Sequence, residues 1–136
     1  MGKQLTDIQK KWIAALKENP PKVKGNLQKA IPPSGKMGFC CLGVYSKKIA
    51  KRKKITPEEK YLPIWESEEL GLRDGIGDTA NLEGLKYKGK LLKPPGGWTI
   101  TSLGSLNDKM NFDHKTHAEI IEENADILFT NMKEKK

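Results

Sequence analysis

The sequence predicts an α+β domain: a mainly helical frame of three principal helices with a small antiparallel β-sheet or hairpin between residues 79 and 101. Three observations predict it. Apolar residues recur at helical spacing near both ends of the chain, over residues 5–16 and 118–132. Between them runs the most apolar stretch, residues 39–45, continued by Cys41, Tyr45 and Ile49 on one helical face. Over residues 73–97 the helical period gives way to short alternating stretches broken by glycines and a Pro-Pro pair, which reads as strands and turns.

Each element has a local signature. Thr6, with Gln9 three residues on, has the spacing of a capping box. Leu5, Ile8, Trp12, Ile13 and Leu16 then form one apolar face, and Asn19-Pro20-Pro21 stops the helix. Residues 20–38 read as a Pro/Gly/Lys-rich connection with a helical turn around residues 26–30. The central helix follows, with Lys47, Lys48, Lys51, Arg52, Lys53 and Lys54 at its C-terminal end, where cations suit the helix dipole. Thr56-Pro57-Glu58-Glu59 is a second cap signature, with proline at the first helical position. Pro63 cuts that element short and starts another, Ile64–Leu70, which Gly71 ends with Leu72 as its hydrophobic partner. Strand-like stretches lie at 79–82, 85–88, 90–92 and 98–101. The last helix has Asp113 as its cap and a stripe of Ala118, Ile121, Ala125, Leu128 and Met132, widened by Ile120 and Phe129. Residues 133–136 read as a frayed tail. No repeat or long linker divides the chain, so residues 1–136 form a single domain.

Composition narrows the function classes. The chain has 136 residues, 36% hydrophobic and 31% charged, enough for a core that needs no disulfide or metal to hold it. Cys40 and Cys41 are adjacent, which does not suit ordinary disulfide geometry, and a cytoplasmic setting is expected. No run of 18 apolar residues is present, so neither a membrane span nor a secretion signal is expected. The net charge of +8 is uneven. Residues 1–60 hold 15 Lys/Arg against 4 Asp/Glu, or +11, and the remainder holds 10 against 13, or −3. A basic half attracts phosphates, and the resulting dipole favours self-association. Lysine dominates, at 23 against 2 arginines, whereas dedicated phosphate forks favour arginine.

Catalytic signatures are weak. His114 and His117 stand near a helix start, without further ligands at zinc spacing, and read as capping and surface residues. The apolar neighbours of Cys40 and Cys41 predict buried packing rather than a reactive thiol. Residues 75–80 match the letters of a G-x-G-x-x-A turn but follow a helix stop instead of a strand. No catalytic residue, metal or cofactor is therefore expected.

A set of motifs resembles a group of short phage and prophage accessory proteins of unassigned function. They are, in order, Trp12 with Ala15-Leu16; Lys24-Gly25 and Leu27; the run Phe39-Cys40-Cys41-Leu42-Gly43-Val44; Leu62-Pro63 with Trp65 and Gly71-Leu72; and Leu103 with Leu106-Asn107-Asp108, followed by Phe112 and residues 118–122. The likeness covers both ends and part of the middle, and leaves out residues 73–97. His117 stands where an aliphatic residue is expected, and the loop after Asp108 is longer than the group's. The resemblance implies no reaction. It implies a setting in the cytoplasm, the host cell's if the gene is a phage's, and small basic phage proteins commonly bind nucleic acid or block host defence. One such class, the sponges, are oligomers that sequester nucleotide second messengers in cationic pockets without cleaving them.

Two expectations follow. In the first, a homo-oligomer captures a small phosphate-bearing ligand, such as a nucleotide immune messenger. Lys22, Lys24, Lys36 and Arg52 face its phosphates, Asn26, Asn107 and Asp108 read polar edges, and Trp98 or Tyr45 stacks on a base. Asn107-Asp108 also fits a turn cap. In the second, the cluster Lys47, Lys48, Lys51, Arg52, Lys53 and Lys54 contacts DNA or RNA phosphates. An inhibitor covering a host protein's surface is a further alternative.

Overall fold

Trp12, Leu16, Leu42, Leu70, Leu106 and Ile121 meet in one hydrophobic core, which contacts every long helix of the described chain. The computed structural model describes residues 3–60, 62–72, 84–93 and 103–134. In chain order these form β1 (Lys3–Gln4), α1 (Asp7–Lys17), β2 (Gln28–Ile31), β3 (Lys36–Phe39) and α2 (Cys41–Val44), which runs on as a π-helix (Tyr45–Ile49). Then come α3 (Ile64–Leu70), β4 (Lys86–Tyr87), β5 (Lys90–Leu91), α4 (Leu103–Lys109), α5 (His114–Glu123), α6 (Ala125–Leu128) and β6 (Lys133–Glu134). The architecture is α+β, with three two-stranded antiparallel pairings, β1–β6, β2–β3 and β4–β5. Among the described residues no helix is long and apolar enough to cross a membrane.

The local signals act as they read. Thr6 and Gln9 cap α1 reciprocally, with Gln9 N–H donating to Thr6 Oγ1 and Thr6 N–H to Gln9 Oε1. The amide of Gln9 then crosses the core to donate to Leu70 O at 2.8 Å. Trp12, fully buried, donates from its indole to Cys41 O at 2.9 Å, and its ring meets Phe129 edge-on. Gly71 ends α3 at φ 83°, in the left-handed region that a Cβ disfavours, and both its N–H and that of Leu72 return to Ser67 O. Asp113 caps α5 through Thr116 N–H at 2.9 Å.

Several expectations are corrected. The turn expected to be helical around residues 26–30 is strand β2, paired with β3 from Gln28↔Phe39 to Ile31↔Lys36. Thr56-Pro57-Glu58-Glu59 closes as a turn and does not start a helix. Glu59 still accepts Thr56 N–H on its carboxylate at 2.7 Å, as a cap would, and pairs there with Arg52, but its carbonyl is taken by Leu27 N–H and does not extend a helical ladder. Residues 103–109, assigned no element from sequence, form α4. The C-terminal helix breaks at Asn124, whose carboxamide donates to Lys86 O and accepts from Lys86 N–H, fastening the β4–β5 hairpin. Beyond it α6 stops at Leu128, and Phe129 is extended. Residues 133 and 134, expected to fray, pair as β6 with β1, because the two ends of the chain meet there. The β4–β5 hairpin lies within the predicted sheet region. The stretches at 79–82 and 98–101, the G-x-G-x-x-A letters at 75–80 and Trp98 lie outside the described residues.

Candidate functional site

The Cys-Cys-Leu-Gly-Val run begins a helix whose start is fastened from three directions. Cys40 is its cap residue, its sulfur accepting from Gly43 N–H at 3.3 Å. Cys41 N–H donates to Asn107 Oδ1 at 3.1 Å, and Cys41 Sγ faces Leu103 O. Gly43 lies so close to Leu27 that a Cβ there would collide with the Leu27 carbonyl. Glycine is thus required by close approach of two backbones.

Asn107 and Asp108, on α4, tie this helix start to the basic segment before β2. Asn107 is fully buried, and its amide donates to Val23 O at 2.8 Å and to Asp108 Oδ1 at 3.1 Å. Asp108 Oδ1 also accepts from Gly25 N–H at 2.9 Å. Beside these contacts is a cleft of about 230 Å³, walled by Gly25, Asn26, Asn107 and Asp108 on one part and by Cys40, Cys41, Leu42 and Lys60 on the rest. Its charged groups are one lysine and one carboxylate.

The thiols in its wall are buried and held in the neutral form. Burial pushes the Cys40 thiol up to about 11. It holds the Cys41 thiol well above its usual range, with Cys40 and Asp108 adding in the same direction. Both cysteines are buried, as the sequence predicts.

The sequence-predicted residues therefore divide. Asn26, Asn107 and Asp108 come together at the cleft. Lys22 is drawn inward, donating to Met110 O at 3.1 Å and Phe112 O at 2.6 Å. Burial lowers its pKa, with Lys24 adding to the effect, while the field of Asp108 opposes it. Lys24 reaches Asn111 Oδ1 at 3.4 Å, and Lys36 lies on the exposed β3 end; neither lines the cleft. Arg52 turns into the protein and pairs with Glu59 at 2.7 Å and with the buried Glu66 at 2.8 Å. It is a structural cation, used up by two carboxylates. Tyr45 is no stacking platform, being fully buried with its hydroxyl donating to Glu69. Lys47, Lys48, Lys51, Lys53 and Lys54 are all exposed.

Lys60 joins the cleft without any mark in the sequence, since it follows an expected helix start and reads as an ordinary solvated lysine. The glycine beside Asn26 carries a weak signal, a small residue among cations. His114 and His117 depart from the surface and capping roles expected of them and are fully buried. The signal for that burial is spacing, since His114 and His117 continue the stripe of Ile121, Ala125 and Leu128 toward the helix start at steps of three and four. Among the described residues no group of three or more His, Cys, Asp or Glu side chains is arranged to hold a metal ion. No family model, curated protein or solved structure matches the chain.

Proposed function

We propose that the protein binds a small phosphate-bearing ligand in the cleft beside Asp108 and retains it without chemical turnover. One observation carries this reading. Gly25 and Asn26, at the end of the basic segment, meet the Asn107-Asp108 pair and Lys60 at a single hollow, joined through Gly25 N–H and Asp108 Oδ1. In this reading Lys60 faces the phosphate, while Asn26 and Asp108 take the ligand's polar edges, a ribose hydroxyl or a base amino group. Lys22 contributes field rather than contact, since its ammonium is held by two carbonyls. The opposed charges of Lys60 and Asp108 favour one phosphate over a polyphosphate chain. The raised thiols support binding over nucleophilic chemistry. The likeness to phage accessory proteins supports a biological role in sequestering a nucleotide immune messenger, and the charge asymmetry supports a homo-oligomer.

A ligand that binds only the folded state raises the melting temperature. Thermal shifts are measured with ribose 5-phosphate, nucleoside monophosphates, cyclic oligonucleotides and ADP-ribose. The expected result is a rise with at least one of them that Lys60→Gln reduces and the remote Lys36→Gln does not. No rise at saturating concentrations overturns the reading. Retention of duplex DNA by the same protein, abolished by neutralising the exposed Lys51, Lys53 and Lys54, then favours the nucleic-acid alternative.

A further inference from the structure

A second hollow, of about 420 Å³, adjoins the cleft. Lys29 and Ala30 of β2, Met37 of β3, and Ile55 and Pro57 of the facing segment line it, together with Asn26. Asn26 thus belongs to both walls, and its amide donates to Pro57 O at 2.7 Å, fixing the side chain where the two spaces meet. The two differ in chemistry. The first presents Lys60, Asp108 and a carboxamide, whereas the second sets a thioether, a proline ring and aliphatic carbon beside the polar ends of Gln28 and Lys29. Met37 is 47% exposed, so its thioether is open to a guest.

We propose that this groove receives the base of a 5′-nucleotide whose phosphate lies at Lys60, an inference that rests on the phosphate reading of the cleft. A nucleobase has two apolar faces and a polar rim, which is what this lining asks of a guest. Met37 and Pro57 pack on the faces, sulfur being well suited to contact with an aromatic ring. Asn26 meets the sugar or the base edge at the junction. A bare phosphate or sugar phosphate leaves the apolar half empty, so it gains nothing from Met37. The groove, at about 420 Å³, is by itself of the scale of a small-molecule site, for which roughly 300–1,000 Å³ is usual, whereas the cleft, at about 230 Å³, reaches that scale only with one guest across both.

The test is calorimetric titration of the full chain with AMP, GMP and ribose 5-phosphate. At least one nucleotide is expected to bind tenfold or more tightly than ribose 5-phosphate. Met37→Asp, at a half-exposed position that tolerates a polar side chain, is expected to bring the nucleotide down to the level of the sugar phosphate and leave the latter unchanged. Equal affinities for nucleotides and ribose 5-phosphate, or a nucleotide affinity indifferent to Met37→Asp, overturn the base groove while leaving the phosphate cleft standing. Failure of all three probes to bind overturns the base groove, and the phosphate cleft falls with it when cyclic oligonucleotides and ADP-ribose also give no thermal shift.

Discussion

Acidification from pH 7.5 to 5.0 is expected to destabilise the fold by about 2 kcal/mol through His117 alone. The magnitude comes from a chain of hydrogen bonds. Phe39 O lies 2.8 Å from His114 Nε2, and a carbonyl only accepts, so His114 carries its proton on Nε2. His114 Nδ1 is then a lone pair, and His117 Nδ1, 3.2 Å away, must donate to it. That leaves His117 Nε2 as a bare acceptor, buried with no partner among the described residues. Protonating either ring puts a charge in a dry site or sets two donors against each other. Burial lowers the His117 pKa to about 3, with His114 and Lys22 adding to the effect and Asp113 opposing it. Burial lowers that of His114 as well, with Lys22 adding, while its bond to Phe39 and the charge of Asp113 oppose.

In the unfolded chain a histidine titrates near 6.5. Above that value neither state binds a proton, and the neutral pair contributes its full stability. As pH falls through 6.5 the unfolded state gains protons that the native state refuses, so stability is lost steadily down to the folded pKa. At about 1.4 kcal/mol per pH unit below 6.5, the loss reaches about 2 kcal/mol at pH 5.0 for one such group, and His114 adds in the same direction. Urea unfolding at the two pH values measures it, and NMR titration of the imidazole C–H signals locates the pKa values in the native state. Equal stability at pH 7.5 and 5.0, or a native His117 titrating near 6.5, refutes the reasoning.

Three other outcomes follow from the packing. Arg52→Ala strands the carboxylate of Glu66, a residue only 1% exposed, and is expected to cost roughly 3–5 kcal/mol in urea unfolding. The double variant Arg52→Met with Glu66→Gln recovers much of that loss, because no charge is left buried. Gly43→Ala forces a Cβ into the Leu27 carbonyl, so a loss of about 3 kcal/mol is expected, against a gain of about 1 kcal/mol for Ala in place of a glycine in an open helix. Cys40 and Cys41 are expected to resist alkylation by iodoacetamide at pH 8 in the native protein and to react fully in denaturant, as mass spectrometry reads directly.

What was legible in the sequence is what acts over short range. The Thr6–Gln9 box, the Asp113 cap, the left-handed stop at Gly71 and the apolar stripes of α1 and α5 each draw their cause from residues three or four apart. Strands β2 and β3 gave no comparable period, because only Phe39 at the end of the hairpin enters the core, while Lys29, Ala30, Lys36 and Met37 are all exposed. Nothing alternates along a ribbon with little to bury. Thr56-Pro57 carries a sound helix signal that a long-range partner overrides, Leu27 taking the Glu59 carbonyl. The same competition decides the site. Lys22 and Arg52, cationic in sequence, have their charge committed to carbonyls and carboxylates far along the chain, and Lys60 comes to the cleft instead. A cluster of cations in sequence thus predicts a field, whereas a binding site needs cations that folding has left uncommitted. In this chain Lys22 and Arg52 are committed and the exposed lysines of the 47–54 cluster do not line the cleft, which is why Asn26, Asn107 and Asp108 are the better guides to the hollow.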